Sequence, residues 1–470
     1  MKKYDLLKVL GITFLVIALI SWVVPAGVYS SGSFVSLEEI SPIGLYDLFK
    51  TPLITIATFI QYGVLFLAIG GFYGVLNKTG VYAKLVDRIT DKWQKNSKKF
   101  LMITVAIFAL LSSLLGLNSV IFILVPFFAA ILLKLGYKKI TALASTVGAM
   151  LIGQIGCTLG LETWGYLRIV FSQMGYDITM TSLILVRIIL LLITVILFAL
   201  LLSKSTKNET KKKDDEVEIP LLEENTSKKG YIPLVILGLL TILLLFVGVY
   251  NWYYTFDIDV FANLYEKVML FEVNGLTLFD NLLGNVSIIG YWGNYDIAVL
   301  LIIASLVISW VYSVKMTEAI DSFAKGMKEM LAPALYGMLA SIIFAVFLNM
   351  SSNFIYTIVN QFTESGEFSL TGVLGSALVT SFTYNDFPTL VSSFMDFFSL
   401  YDTNVIPVVA LIFQAIYGLV MVIAPTSIFL LVGLSYFKVS YKEWFSYIWK
   451  FALAMLGIII VIGFIATMLV

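Results

Sequence analysis

Ser112-Ser113-Leu114-Leu115-Gly116-Leu117-Asn118-Ser119 interrupts an apolar stretch that runs from 100 to 133. The stretch is long enough for two helices, yet both ends are basic: Lys95, Lys98 and Lys99 precede it, and Lys134, Lys138 and Lys139 follow. Lys and Arg collect on the cytoplasmic side of a membrane, so the two ends belong on one side. A polar, glycine-containing tip between them predicts a re-entrant hairpin that enters and leaves from the cytoplasm. Irregular backbone is excluded from lipid, so such a tip must be buried in protein or line an aqueous cavity.

The surrounding composition supports a membrane setting. Of 470 residues, 60% are hydrophobic and 13% charged, against about 25% charged in a soluble domain. Charge-free runs at Val9–Val24, Pro52–Leu76, Ile188–Leu202, Ile232–Val249, Ile297–Ser313 and Phe451–Val470 approach or exceed the ~20 residues that cross a bilayer as helix. The short alternating segments of a β-barrel are absent. The fold class is therefore all-α and polytopic. Lys2-Lys3 before the first run fits either a cleaved signal peptide or a first helix that stays. Its continuation into Trp22-Val23-Val24-Pro25-Ala26-Gly27 favours the helix.

Several functions drop out. Formal charge is zero, which offers no field for nucleic acid. Cys157 is the only cysteine and there is no histidine. That excludes an intramolecular disulfide, a histidine proton relay, a Ser-His pair and the commoner zinc sites. No G-x-x-x-x-G-K-[ST] phosphate loop occurs, which argues against ATP-driven transport within this chain.

Basic residues cluster at 2–8, 78–99, 134–139, 204–229, 315–328 and 438–450. By the positive-inside rule the N-terminus is cytoplasmic. Helix 1 leads to an external segment 25–51, helix 52–76 returns, and a basic, partly amphipathic piece 77–99 lies on the cytoplasmic face. Residues 140–172 cross outward as a broken helix, because Gly148, Gly153, Gly156 and Gly160 fall within thirteen residues. Helix 181–203 returns to a polar linker, 204–230. Helix 231–249 exits to an external aromatic-rich segment, 250–295. Helix 296–314 returns, a cytoplasmic piece 315–330 follows, and helix 331–350 leaves. A second hairpin, 370–401, carries no Lys or Arg near its ends and so enters from outside. Its tip is Thr380-Ser381-Phe382-Thr383-Tyr384-Asn385-Asp386-Phe387-Pro388. A crossing at 404–437 breaks at Ala424-Pro425-Thr426-Ser427, and helix 446–469 leaves the C-terminus outside.

The halves 1–203 and 231–470 thus share an order of parts in opposite orientation. Ser112 and Ser381 are 269 residues apart, and Gly160 and Ser427 are 267 apart. Inverted repeats with discontinuous helices mark many secondary transporters. Four interruptions supply the candidate substrate- and ion-binding residues. They are Ser112, Ser113, Asn118 and Ser119; Gln154, Cys157 and Thr158; Thr380, Ser381, Thr383, Asn385 and Asp386; and Pro425, Thr426 and Ser427. Half-helix N-termini there attract a solute carboxylate, and freed carbonyls and hydroxyls suit Na⁺, with a site expected near Asn118 and Asn385. A Ser or Thr in a membrane helix also commonly bonds its own backbone. Asp386 and Glu162 are charges inside the bilayer, each costing about 2.5–3.5 kcal/mol on insertion scales. Either could hold a substrate ammonium, Na⁺ or a proton; the bland alternative pairs Glu162 with Arg168. Arg168 and Arg187 read as snorkelling to headgroups or meeting an anion. Gly70-Gly71 and Gly74 read as a close helix contact.

Trp22-Val23-Val24-Pro25-Ala26-Gly27 resembles the first-helix signature of the YfcC-type carriers, relatives of the anaerobic C4-dicarboxylate carriers. Gly70-Gly71…Gly74-Val75-Leu76-Asn77-Lys78-Thr79-Gly80 resembles their second-helix exit. Ala424-Pro425-Thr426-Ser427 and Val439-Ser440-Tyr441-Lys442-Glu443-Trp444 resemble their C-terminal break and approach to the last helix. The resemblance spans nearly the whole chain, and departs from the family at the first tip, where Leu114–Ser119 has no acidic residue. It implies the ion-transporter superfamily fold, with scaffold and elevator-type transport domains, commonly a homodimer. It also implies a carboxylate-bearing solute, a dicarboxylate or an amino acid.

The combined expectation is an ion-coupled secondary carrier or exchanger, symporter or antiporter, in the bacterial cytoplasmic membrane. It needs no cofactor beyond Na⁺ or H⁺ as coupling ion. A channel on the same broken helices is the alternative. A membrane-embedded enzyme or assembly factor is the third, and it lacks a visible nucleophile–base pair.

Overall fold

The computed structural model describes residues 5–30, 33–37, 40, 42–176, 178–179, 181–206, 219–223, 227–349, 354–363 and 368–469, without the side chains of 48, 55, 58, 254 and 342–349. Most of the expected linker, 207–218 and 224–226, lies outside the described residues.

Helix α1 (Asp5–Ser21) leads to a hairpin of β1 (Gly27–Ser30) and β2 (Ser33–Ser36), antiparallel with Val28 opposite Val35. Then come α2 (Leu45–Lys78), α3 (Val81–Trp93), α4 (Ser97–Leu115), α5 (Asn118–Phe122), α6 (Val125–Lys134), α7 (Lys139–Leu143), a π-helical turn at Ala144–Gly148 and α8 (Ala149–Gly153). After an irregular stretch, a second π-helical turn at Leu161–Gly165 opens α9 (Tyr166–Gln173), and α10 (Ile184–Thr206) follows. Next are α11 (Ile232–Val249), α12 (Trp252–Phe256), α13 (Val260–Met269), the hairpin β3 (Glu272–Val273) and β4 (Leu276–Thr277), α14 (Leu278–Leu283), α15 (Asn294–Val311) and α16 (Met316–Asn349). The chain ends with α17 (Phe354–Asn360), α18 (Leu370–Thr383), α19 (Phe387–Ser393), α20 (Met395–Phe398), α21 (Ile406–Met421), α22 (Ile428–Phe437) and α23 (Tyr441–Thr467).

Among the described residues, six segments are long and apolar enough to cross a bilayer: Phe59–Lys78, Val81–Leu115, Ile184–Thr206, Ile232–Val249, Asn294–Val311 and Tyr441–Thr467. Their outward faces are apolar. Leu185, Ile189, Leu192, Ile196 and Leu200 are exposed along α10, and Ile232, Ile236, Leu239 and Leu243 along α11. A water-soluble protein rarely exposes contiguous apolar strips of this size; lipid solvates them without cost.

Two boundaries differ from the sequence reading. The expected cytoplasmic piece 315–330 and helix 331–350 form one helix, Met316–Asn349, with Pro333 inside it. Likewise α2 begins at Leu45 and runs through Pro52, so the segment 25–51, expected to be external, holds a β-hairpin and the start of a helix. Both helices run through a proline, which helices in membranes tolerate where neighbours satisfy the freed carbonyl.

The chain divides into two compact units: Met1–Gly63 with Asp87–Pro220 and Met330–Val470, and Val64–Val86 with Leu221–Glu329. In the second unit α2 and α16 touch backbone to backbone. A Cβ on Gly74 would lie 2.1 Å from Ser322 O, and one on Gly326 would lie 2.0 Å from Gly70 O. The glycines at 70–74 therefore serve packing. Asn77 Nδ2 donates to Leu221 O at 2.9 Å, and Glu223 N donates to Asn77 Oδ1 at 3.2 Å.

The first unit holds the interrupted helices. Its core is α21, almost wholly buried, packed against α18, α23 and α8. Helix α4 stops at Gly116, whose φ of +67° is a left-handed cap that glycine adopts without strain. The chain then folds back: Phe128 of α6 lies 5.4 Å from Phe108 and 6.2 Å from Phe100, both on α4.

Candidate functional site

The first tip and the first break are one hydrogen-bonded structure. Ser113 Oγ donates to Gly156 O at 2.8 Å and lies 3.1 Å from Thr158 Oγ1. Thr158 N donates back to Ser113 O at 3.0 Å. Ser112 Oγ donates to Asn118 Oδ1 at 3.1 Å across the tip. A Cβ on Gly116 would lie 2.9 Å from the Cα of Gly160, so tip and break are in backbone contact. Cys157 Sγ lies 2.6 Å from Thr163 Oγ1. These side chains are buried, and here the hydroxyls satisfy carbonyls that the broken helix leaves open.

The second tip is closed by its own caps. Asp386 caps α19: Thr389 N donates to Asp386 Oδ2 at 2.9 Å, and the Thr389 hydroxyl also donates to it. Thr426 Oγ1, in the second break, donates to Phe382 O at 3.3 Å. Asn385 Nδ2 donates to Ala340 O at 3.3 Å. Thr380 and Thr383 bond carbonyls of their own helix, Ser376 O and Thr380 O, each at 2.8 Å. Ser381 Oγ is fully buried with no hydrogen-bond partner among the described residues. Ser119, Pro425 and Ser427 make no side-chain hydrogen bond among the described residues. No hydrogen bond joins Asn118 to Asn385, so the expected cation site near both is not assembled by direct contact.

One turn of α21 ties the two regions together. The Gln414 amide donates to Gln154 O and, at 3.0 Å, to Ile155 O. Three residues on, Tyr417 OH donates to Asn385 O at 2.9 Å, and its ring meets Phe387 at 4.9 Å. Gly418 completes the contact, since a Cβ there would lie 2.6 Å from Gln154 C and Ile155 N. Gln414 and Tyr417 escaped the sequence reading because α21 is otherwise uniformly apolar. A glutamine in mid-membrane was the available signal. A second bridge joins Tyr166 OH to Ser392 Oγ at 2.7 Å, and Phe171 meets Phe398 at 5.0 Å.

Glu162 and Asp386 are both half-buried. Among the described residues neither carboxylate has a cationic partner within ion-pair distance. Two of the alternatives drop out here. No ion pair joins Glu162 to Arg168 among the described residues. Arg187 does not snorkel: it is 0% exposed. Its guanidinium lies 3.8 Å from the centroid of the Trp164 ring and donates to Thr158 O at 2.6 Å. The π-helical turn at Leu161–Gly165 aims Trp164 inward, which the sequence could not reveal.

The arrangement gathers hydroxyls, amides and carbonyls, with two half-buried carboxylates in the same interrupted segments, the donor set that a small polar solute and a cation would require. Among the described residues no group of three or more Cys, Asp or Glu could hold a metal ion.

Solved structures and one family model are similar to the chain. The YdaH transporter of Alcanivorax borkumensis is 11% identical, covers 97% of each chain and superposes with a TM-score of 0.38. MtrF of Neisseria gonorrhoeae, described within a class of antimetabolite efflux pumps, is 13% identical over 98% of this chain and 94% of its own, with a TM-score of 0.39. No curated protein matches. Residues 5–470 match the family model for the C4-dicarboxylate anaerobic carriers, DcuC, and the chain belongs to that family of membrane transporters.

Proposed function

We propose that the chain is an ion-coupled secondary carrier of a small carboxylate-bearing solute, with C4-dicarboxylates the first class to test. The observation that carries this reading is the single turn of α21 in which Gln414 holds the first break and Tyr417 holds the second tip. It gathers candidates from both halves of the sequence around one place. Helix α22 begins at Ile428 immediately after the second break, and a helix N-terminus attracts a carboxylate. Glu162 and Asp386, without a counter-cation, leave room for one positive charge, a proton or Na⁺.

In this reading 100–133 and 370–401 are re-entrant hairpins of inverted repeats, part of a transport domain that moves by an elevator motion. The protein is a homodimer in a bacterial cytoplasmic membrane, with its N-terminus inside. The signatures at Trp22–Gly27 and Ala424–Ser427 support the YfcC-type branch, for which amino acids are the second solute class.

The test is uptake of radiolabelled succinate into proteoliposomes under an imposed Na⁺ or pH gradient. The carrier reading expects saturable accumulation driven by one gradient, and counterflow when both are absent. Unitary currents in planar bilayers without counterflow would instead establish a channel.

A further inference from the structure

We propose that Arg187 is a positioning residue for transport, holding the irregular segment Gln154–Gly160 in the shape that presents Ser113 and Thr158 to the solute. The inference rests on the carrier reading above. A buried arginine in a membrane protein is expensive and needs compensation. Among the described residues, two groups that flank the first break contribute to that compensation. Thr158 O accepts from a guanidinium nitrogen at 2.6 Å, and the Trp164 ring lies face-on to the guanidinium at 3.8 Å. The ring itself is fixed, because its indole N–H donates to Thr179 O at 3.0 Å. One turn further along α10, Leu191 meets the break directly: a Cβ on Gly156 would lie 2.4 Å from Leu191 N. Helix α10 is therefore a rail against which the break is pressed, and Arg187 is the polar clamp on that rail. Thr158 passes the constraint on, since its amide and hydroxyl both engage Ser113 of the tip. A planar guanidinium can stack on the ring and donate from its edge in one fixed geometry, which an ammonium on a flexible stem does not reproduce.

The test uses Arg187→Lys and Arg187→Gln in the full-length protein, with two readouts. The first is succinate uptake in proteoliposomes, separated into KM and turnover. The second needs no solute: the rate at which N-ethylmaleimide labels Cys157, the only cysteine, which is 0% exposed inside the clamped segment. A released segment opens locally and exposes its thiol. With thermal midpoints held within a few degrees of native, both variants are expected to raise KM and labelling rate by about tenfold or more, as loosening of a positioned group implies. A variant destabilised only in the second unit, Gly326→Ala, should leave labelling unchanged. Native KM in Arg187→Lys and Arg187→Gln overturns the proposal whether or not labelling rises, and so does native labelling alongside a raised KM. Should Arg187→Gln fail to fold, Arg187→Lys decides alone. If the native protein moves no succinate, the dicarboxylate assignment fails separately, and the labelling rate decides whether Arg187 holds the segment.

Discussion

Replacing Gly418 by alanine probes the contact on which the candidate site depends. The added Cβ would sit 2.6 Å from Gln154 C and Ile155 N and 2.8 Å from Ile155 Cα. Comfortable carbon contacts begin near 3.5 Å, so break and helix must separate by about 1 Å. The neighbours are backbone atoms and cannot rotate away. Overpacking of this kind costs about 1–3 kcal/mol. The same displacement stretches the 3.0 Å hydrogen bond from Gln414 to Ile155 O to about 4 Å, outside bonding range. Its loss adds about 0.5–1.5 kcal/mol, and together the two effects come to roughly 2–4 kcal/mol. A 1 Å error in positioned groups can lower a rate by about 100-fold. The assay pairs thermal unfolding in detergent with initial uptake in proteoliposomes. Gly457→Ala on α23 is the matched control, because nothing lies within 4 Å of its would-be Cβ; it should leave uptake intact. Native stability and native uptake in Gly418→Ala would refute the view that α21 and the first break must touch.

Other perturbations give distinct outcomes. Asparagine caps a helix as well as aspartate, so Asp386→Asn should fold with a stability change within about 1 kcal/mol while gradient-driven accumulation of succinate collapses and counterflow persists; unchanged accumulation would remove Asp386 from ion coupling. Ser381→Ala deletes a buried hydroxyl without a hydrogen-bond partner among the described residues, so stability should hold or rise, by up to about 1 kcal/mol, read as an unchanged or higher thermal midpoint, with uptake reduced if that hydroxyl serves the solute or ion; a lowered midpoint would contradict the geometry. In the second unit Gly326→Ala drives a Cβ to 2.0 Å from Gly70 O and should cost about 1–3 kcal/mol, read as a lower unfolding midpoint.

The positions of the interruptions were legible because polar and glycine residues stand out against an apolar background. Helices end at Leu115, Gly153, Thr383 and Met421, within or beside the stretches read as breaks. The reason assigned to one of them was different from the one found. Gly148, Gly153, Gly156 and Gly160 suggested backbone freedom, yet none takes a left-handed φ. Gly153 and Gly156 instead admit close neighbours, Ala109 O at 2.3 Å and Leu191 N at 2.4 Å from an added Cβ. The helix starts placed at 52 and 331 came too late in the chain, since continuous helices begin at Leu45 and Met316.

What the sequence determined by itself was solvent and secondary structure: apolar length demands a bilayer, and polarity within an apolar run marks where helix must stop. Both are local properties, and the bilayer enforces them segment by segment. Which interruptions meet was decided only by tertiary structure. Gln414 reaches Gln154 across 260 positions of sequence, Tyr166 reaches Ser392 across 226, and Arg187 turned inward to Trp164 and Thr158 rather than outward to headgroups. Hydrogen bonds and packing carry no signature of sequence distance, so a lone arginine or glutamine in an apolar run announces that it needs a partner without naming which.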